Sequence, residues 1–208
     1  MRKETFRVFG INRHRMKVDG RGVTTLVALA GCPLTCEYCI NEAGLAEAGC
    51  VEELTAAELV ERLAMDHCYF VYTNGGVTFG GGESLLHSAQ IEAFSKVCPG
   101  EWNITLETSL NVPFEQLEPL LTERFSFIID VKAMQSEIYK KYTGMDNAQV
   151  ISNLRELCKR LAKEQYVVKI PVIPGYSTEQ EIEESKKLLQ ELGIPEENII
   201  TFTYVTKN

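Results

Sequence analysis

Histidine and tryptophan are scarce in this sequence, with three of the first and one of the second among 208 residues. So few imidazoles offer little support for a reaction built on a histidine general base. Long apolar runs are missing too. None approaches the ~20 residues of a membrane span, and the N-terminus lacks the charged-then-apolar order of a signal peptide. A cytoplasmic chain without a membrane partner is therefore expected. Positive charge is in deficit: the net charge of -8 argues against nucleic acid as the partner. No low-complexity tract and no repeat of fixed period is present.

What is there suits one soluble domain over residues 1–208, with 45% hydrophobic and 24% charged residues. A chain of this size buries roughly 70% of its unfolded surface, so it folds without staples. The one basic stretch is the start. Arg2, Lys3, Arg7, Arg13, Arg15 and Lys17 face Glu4 alone in residues 1–18. Residues 1–21 read as a solvated basic segment ahead of the first barrel strand.

From residue 22 onward, short apolar runs alternate with helical patterns. Strands are predicted at 22–31, 76–84, 102–108, 125–132, 166–175 and 198–205. Helices are predicted at 54–64, 84–97, 147–163 and 178–193. Thr55 with Glu58 and Thr178 with Glu181 form capping boxes, Leu54 is placed to staple onto Leu59, and Gly193 marks a C-terminal stop. Six strands separated by helices predict a parallel sheet in an open, partial (β/α)6 TIM-like barrel; a doubly wound flat sheet is the alternative. In either fold, a site belongs at the C-terminal strand ends. Cysteines follow the first strand, Glu83 the second, Glu107 the third, Asp130 and Lys132 the fourth, and Lys169 lies on the fifth.

Three of the seven cysteines, Cys32, Cys36 and Cys39, share the loop "GCPLTCEYCIN". A structural zinc takes four ligands, and no paired CxxC or HxxxH supplies the fourth here. A [4Fe–4S] cube held by three thiolates keeps one iron open to chelate a small molecule. The loop therefore favours a cluster over zinc. Cys50, Cys68, Cys98 and Cys158 read as small core hydrophobes.

Cys32-x3-Cys36-x2-Cys39, with Tyr38 before the last cysteine, resembles the signature of radical S-adenosylmethionine (SAM) enzymes. "GGGE", Gly80 to Glu83, looks like that family's Gly-Gly-Glu element. In order, "DGRGVTTLVALAGCPLTCEYCIN", "NGGVTFGGGESLL", "ETS", "IIDVK", "YTGMDNAQVISNL" and "KIPVIPGYS" resemble segments of glycyl-radical enzyme activating enzymes, the pyruvate formate-lyase activating enzyme group. The similarity starts near Asp19, and "TGMDN" with "PVIPG" carries the subgroup. Between the cysteine loop and "GGVTF" stand only Cys50 and Cys68, so a single cluster is implied.

By this resemblance, Cys32, Cys36 and Cys39 ligate the [4Fe–4S] cluster, whose open iron binds S-adenosyl-L-methionine. Reductive cleavage gives a 5′-deoxyadenosyl radical that takes hydrogen from substrate. Tyr38 and Asn41 flank the adenine; Gly81, Gly82 and Glu83 hold the methionine ammonium, with Glu107 and Thr108 adding contacts. Lys132 meets the carboxylate, and Asp130 contacts ribose or orients Lys132. Lys169 stands where relatives carry Arg, Thr24 where they carry Arg, Gly80 replaces Ser, Ser84 replaces Pro, and Val205 falls at a usual His. With Asn208 following soon after the sixth strand, the C-terminal cover of longer relatives is expected to be missing. The implied partners are a glycyl-radical enzyme whose glycine loses a hydrogen, and a flavodoxin- or ferredoxin-type electron donor. The competing readings are a stand-alone radical SAM enzyme acting on a small molecule or peptide, and an iron–sulfur binding module without turnover.

Overall fold

The computed structural model describes residues 4–16, 19–45 and 51–203. Its elements run β1 (Thr5–Met16), β2 (Val23–Leu29), α1 (Glu42–Leu45), β3 (Glu52–Thr55), α2 (Ala56–Leu63), α3 (His67–Thr73), β4 (Gly76–Gly81) and α4 (Ser88–Val97). They continue with β5 (Asn103–Thr108), α5 (Phe114–Leu117), β6 (Phe125–Asp130), α6 (Ser136–Thr143), α7 (Ala148–Arg160), β7 (Tyr166–Val172), α8 (Glu179–Glu191) and β8 (Ile199–Thr203).

All strands join one sheet in the order β3-β1-β2-β4-β5-β6-β7-β8. β2, β4, β5, β6, β7 and β8 pair parallel with one another in that order, while β3 lies beyond β1 and is antiparallel to it. A doubly wound sheet reverses the order of its parallel strands at a switch point; the parallel run β2-β4-β5-β6-β7-β8 never does. The arrangement is the partial barrel expected from the six alternating units. No helix of the described residues is long and apolar enough to cross a membrane.

Each predicted parallel strand is present, and the helix signals hold. Thr55 and Thr178 each accept from the backbone three residues on, while Glu58 and Glu181 reach back to the cap amides. Gly193 takes φ +95° just past α8, the left-handed turn that ends a helix with least strain in glycine. Along α7, Val150, Leu154 and Leu157 bury one stripe. Leu54 belongs to β3 rather than to a helix, but both it and Leu59 are buried in the core.

The basic N-terminal segment departs from expectation. Where residues are described, it is strand β1, antiparallel to β2 and β3, not a solvated stretch. Phe6 and Val8 alternate inward and are buried. Phe6 stacks on Phe79 at 5.3 Å between centroids, and Phe79 meets Phe94 edge-on at 5.2 Å. Burying such rings contributes on the order of 1.5–3 kcal/mol apiece. Two of the segment's arginines find acids in the fold: Arg13 pairs with Asp66 and Arg15 with Asp19. Cationic composition hid a period-two pattern that two apolar residues were enough to set. Arg2, Lys3, Lys17, Cys50 and Val205 lie outside the described residues. Of the other cysteines expected in the core, Cys98 and Cys158 pack against it, half-buried, but Cys68 is exposed.

Candidate functional site at the strand ends

Alternation along the parallel strands sorts their side chains onto two faces. Val77, Phe79, Ile104, Leu106, Phe127, Ile129, Val168 and Ile170 form the buried core. The opposite parity carries Thr78, Thr105, Glu107, Asp130 and Lys169. Register brings these together, because Thr78 pairs with Thr105, Glu107 with Ile128, and Asp130 with Lys169. Three of the polar residues singled out from sequence, Glu107, Asp130 and Lys169, therefore share one face.

The cysteine loop leaves β2 and is fastened across the sheet's end. Thr35 and Glu37 donate their amides to the carbonyls of Thr143 (2.9 Å) and Tyr142 (3.2 Å) at the close of α6. Asn41 Nδ2 donates to the Gly81 carbonyl at 2.9 Å. Tyr38, between the second and third cysteines, packs against Tyr142 and Tyr176, each at 6.1 Å. Tyr38 and Asn41 thus both help anchor the loop.

All three thiols are half-buried and free of disulfides. Burial pushes Cys32 up to about 12 and Cys36 up to about 11, with Lys132 opposing the second shift. Thiolates here need a strong positive counter-charge, which iron supplies. Among the described residues no three His, Cys, Asp or Glu close on one metal ion. A structural zinc takes four ligands and the loop supplies three thiols, whereas a cube takes one thiolate per iron and can leave a corner open. The donor set fits a cluster better than zinc.

The glycine strand is shaped by its own neighbours. A Cβ on Gly82 would sit 2.2 Å from the Gly31 carbonyl and 2.6 Å from that of Leu29. Only glycine lets the loop's entry pass this close. Gly81 has φ +87°, and a Cβ on Gly80 would meet Glu107 Oε2 at 2.5 Å.

Glu83 does not offer the open carboxylate expected for an ammonium. It is 2% exposed. Its Oε1 accepts from Thr108 Oγ1 (2.6 Å) and the Leu85 amide (3.2 Å), and its Oε2 from the Ser109 amide (2.9 Å) and Ser109 Oγ (2.7 Å). A carboxylate has about four acceptor sites, and these donors take them all. Burial raises its pKa, opposed by those same bonds. Thr108, committed to Glu83 and to the Leu110 amide at 2.9 Å, is likewise turned inward.

Glu107, one residue before Thr108, behaves differently. Burial, with Asp19 adding and Lys169 opposing, pushes it up to about 7. Lys132 is ion-paired with Asp130 Oδ2, so Asp130 orients it. Asp130 Oδ1 is buried and without a hydrogen-bond partner among the described residues. An acceptor in that state suits a hydroxyl donor such as ribose carries.

Sequence reasoning missed the frame beneath the site. Asn153 Nδ2 donates to Leu110 (2.9 Å) and Val112 (2.8 Å) carbonyls, Asn147 Nδ2 to Met134 (2.7 Å), and Asn111 Nδ2 to Asp146 (2.9 Å). Asn147 and Asn153 fall in "TGMDNAQVISNL" and clamp the loops that follow β6 and β5. Buried amides paired to loop carbonyls fix backbone that no ladder holds. The signal was an asparagine inside an apolar helical stripe.

The Radical SAM superfamily model matches residues 26–204. The chain is 27% identical to the (2S)-3-sulfopropanediol dehydratase activating enzyme of Klebsiella oxytoca, over 89% of this chain and 78% of that one. It is 35% identical to the pyruvate formate-lyase-activating enzyme of Clostridium pasteurianum, over 61% of this chain and 53% of that one. Among solved structures, SuiB of Streptococcus suis aligns with 88% of this chain and 40% of its own (TM-score 0.66, 15% identity). A radical SAM methyltransferase from Sphaerobacter thermophilus aligns with 86% of this chain and 55% of its own (TM-score 0.59, 20% identity). Those two show the fold alone. Family and fold together make this an enzyme of radical chemistry, with a [4Fe–4S] cluster and SAM as its cofactors. The chain belongs to the radical SAM superfamily.

Proposed function

We propose that this chain is a glycyl-radical enzyme activating enzyme, which abstracts one hydrogen from a glycine of a large partner. The observation that carries the reading is the agreement between relatives named as activating enzymes and the order of motif segments along the chain. The cluster and SAM supply a 5′-deoxyadenosyl radical; the protein binds, orients and keeps water from them. Cys32, Cys36 and Cys39 hold the cluster. Lys132, aimed by Asp130, meets the methionine carboxylate, and Asp130 Oδ1 takes a ribose hydroxyl. Gly81 and Gly82 offer backbone to the ammonium, with Glu83 setting their position. Tyr38 and Asn41 border the adenine, and Glu107 and Lys169 line the open face along which a glycine loop is admitted. Lys169 meets its contact as a point charge, lacking the bidentate fork of Arg. A flavodoxin- or ferredoxin-type protein of the cytoplasm supplies the electron.

The test is anaerobic incubation of the reconstituted protein with SAM, reductant and a glycyl-radical enzyme of its own organism. A glycyl doublet in the spin-resonance spectrum of that partner is expected. Turnover of SAM with no such doublet on any glycyl-radical enzyme present, but with a modified small molecule or peptide, would replace this reading with the stand-alone enzyme.

A further inference from the structure

His87 ends the turn Ser84–His87 after the glycine strand, and nothing above assigns it a role. Its ring is 6% exposed and lies near-parallel to Phe6, at 6.2 Å and 15°. Nε2 stands 3.0 Å from the Ala30 carbonyl. A carbonyl only accepts, so Nε2 carries the proton. Nδ1 is then an acceptor, buried and without a hydrogen-bond partner among the described residues. Burial, opposed by the Ala30 carbonyl and aided by Arg7, lowers the ring's pKa. An apolar side chain of similar bulk would fill this space and leave no nitrogen unpaired. What the imidazole adds is the single bond to Ala30.

That bond completes a set. The last three carbonyls before Cys32 are all held by residues 82–87. Leu29 accepts from the Gly82 amide and Gly31 from the Glu83 amide, both at 2.9 Å, while Ala30 accepts from His87. The Ala30 amide in turn donates to Arg7 at 2.8 Å. Gly31 takes φ +94°, so the chain turns sharply where it enters the cysteine loop. Two of the three clamps are backbone and survive any substitution of His87. His87 supplies the one that a side chain decides.

We propose that His87 is a positioning residue for the iron–sulfur centre, fixing the strand end from which Cys32 is presented. The inference rests on the reading that Cys32, Cys36 and Cys39 are the ligands. Partners one step behind a metal ligand affect how firmly the metal is held. Here the step runs through the main chain, from Ala30 to Cys32.

The experiment compares wild type, His87→Gln and His87→Leu after anaerobic reconstitution. It reads iron loss to a chelator, the spin-resonance spectrum of the reduced cluster, and the Tm of the cluster-free chain. His87→Leu is expected to lose iron roughly 10-fold faster, with an altered spectrum and an undiminished Tm. His87→Gln, whose amide again donates to Ala30, is expected to return both cluster readouts toward wild type. If His87→Leu fails to fold, His87→Met takes its place. Wild-type iron retention and spectrum in the variant lacking the donor would overturn the inference, as would equal losses in both variants. A wild-type chain that assembles no cluster fails the underlying reading instead.

Discussion

Glu83 and Glu107 sit at the ends of neighbouring strands, both largely removed from water, and they have become different groups. Glu83 is enclosed by four donors from Leu85, Thr108 and Ser109. It ties the end of β4 to the turn after β5, where Leu110 takes φ +59°. Glu107 has Asp19 and Asp130 raising its pKa and Lys169 and Arg15 lowering it. The first carboxylate is part of the frame; the second shares its face of the sheet with Asp130 and Lys169. Position at a strand end nominates a residue, but donor count decides its job.

The largest effect should come from Glu83→Ala. It leaves the Leu85 and Ser109 amides and two hydroxyls without their acceptor and opens a cavity, costing about 4 kcal/mol in chemical unfolding. Glu83→Gln keeps the volume but turns an NH2 toward donors, for a loss of about 2 kcal/mol. Were Glu83→Gln as stable as wild type while its SAM affinity collapsed, the contrast between the two carboxylates would be broken. Ser109→Ala, removing one donor of four, should cost about 1 kcal/mol by the same measurement.

Glu107→Gln sharpens the contrast through pH. A carboxyl with a folded pKa near 7 against 4.5 unfolded holds extra protons in the native state between those values. Wild type therefore loses stability from this group as pH climbs through that window. The Tm of Glu107→Gln relative to wild type should rise from pH 5 to pH 8. A difference that stays flat would mean Glu107 is solvated rather than desolvated.

Much of this was legible in the sequence because it is local. Apolar runs gave the six parallel strands, cap residues gave α2 and α8, and a spacing of three and two gave the cysteine loop. What was hidden depends on partners far along the chain. Strand β1 was obscured because its arginines dominate a composition count, although Arg13 and Arg15 find acids in the fold. The inward turn of Glu83 depends on Ser109, 26 residues away, which no period reveals. Helix α6, with Tyr139 and Tyr142 buried and Lys140 and Lys141 between them, offered too short a stripe to read.

The most direct test is anaerobic reconstitution of wild type and Cys36→Ala with iron, sulfide, SAM and reductant, scored by cluster absorbance and by 5′-deoxyadenosine. Wild type should show both signals and Cys36→Ala neither. A bound zinc ion in wild type, or a variant that keeps cluster and cleavage alike, would contradict the account.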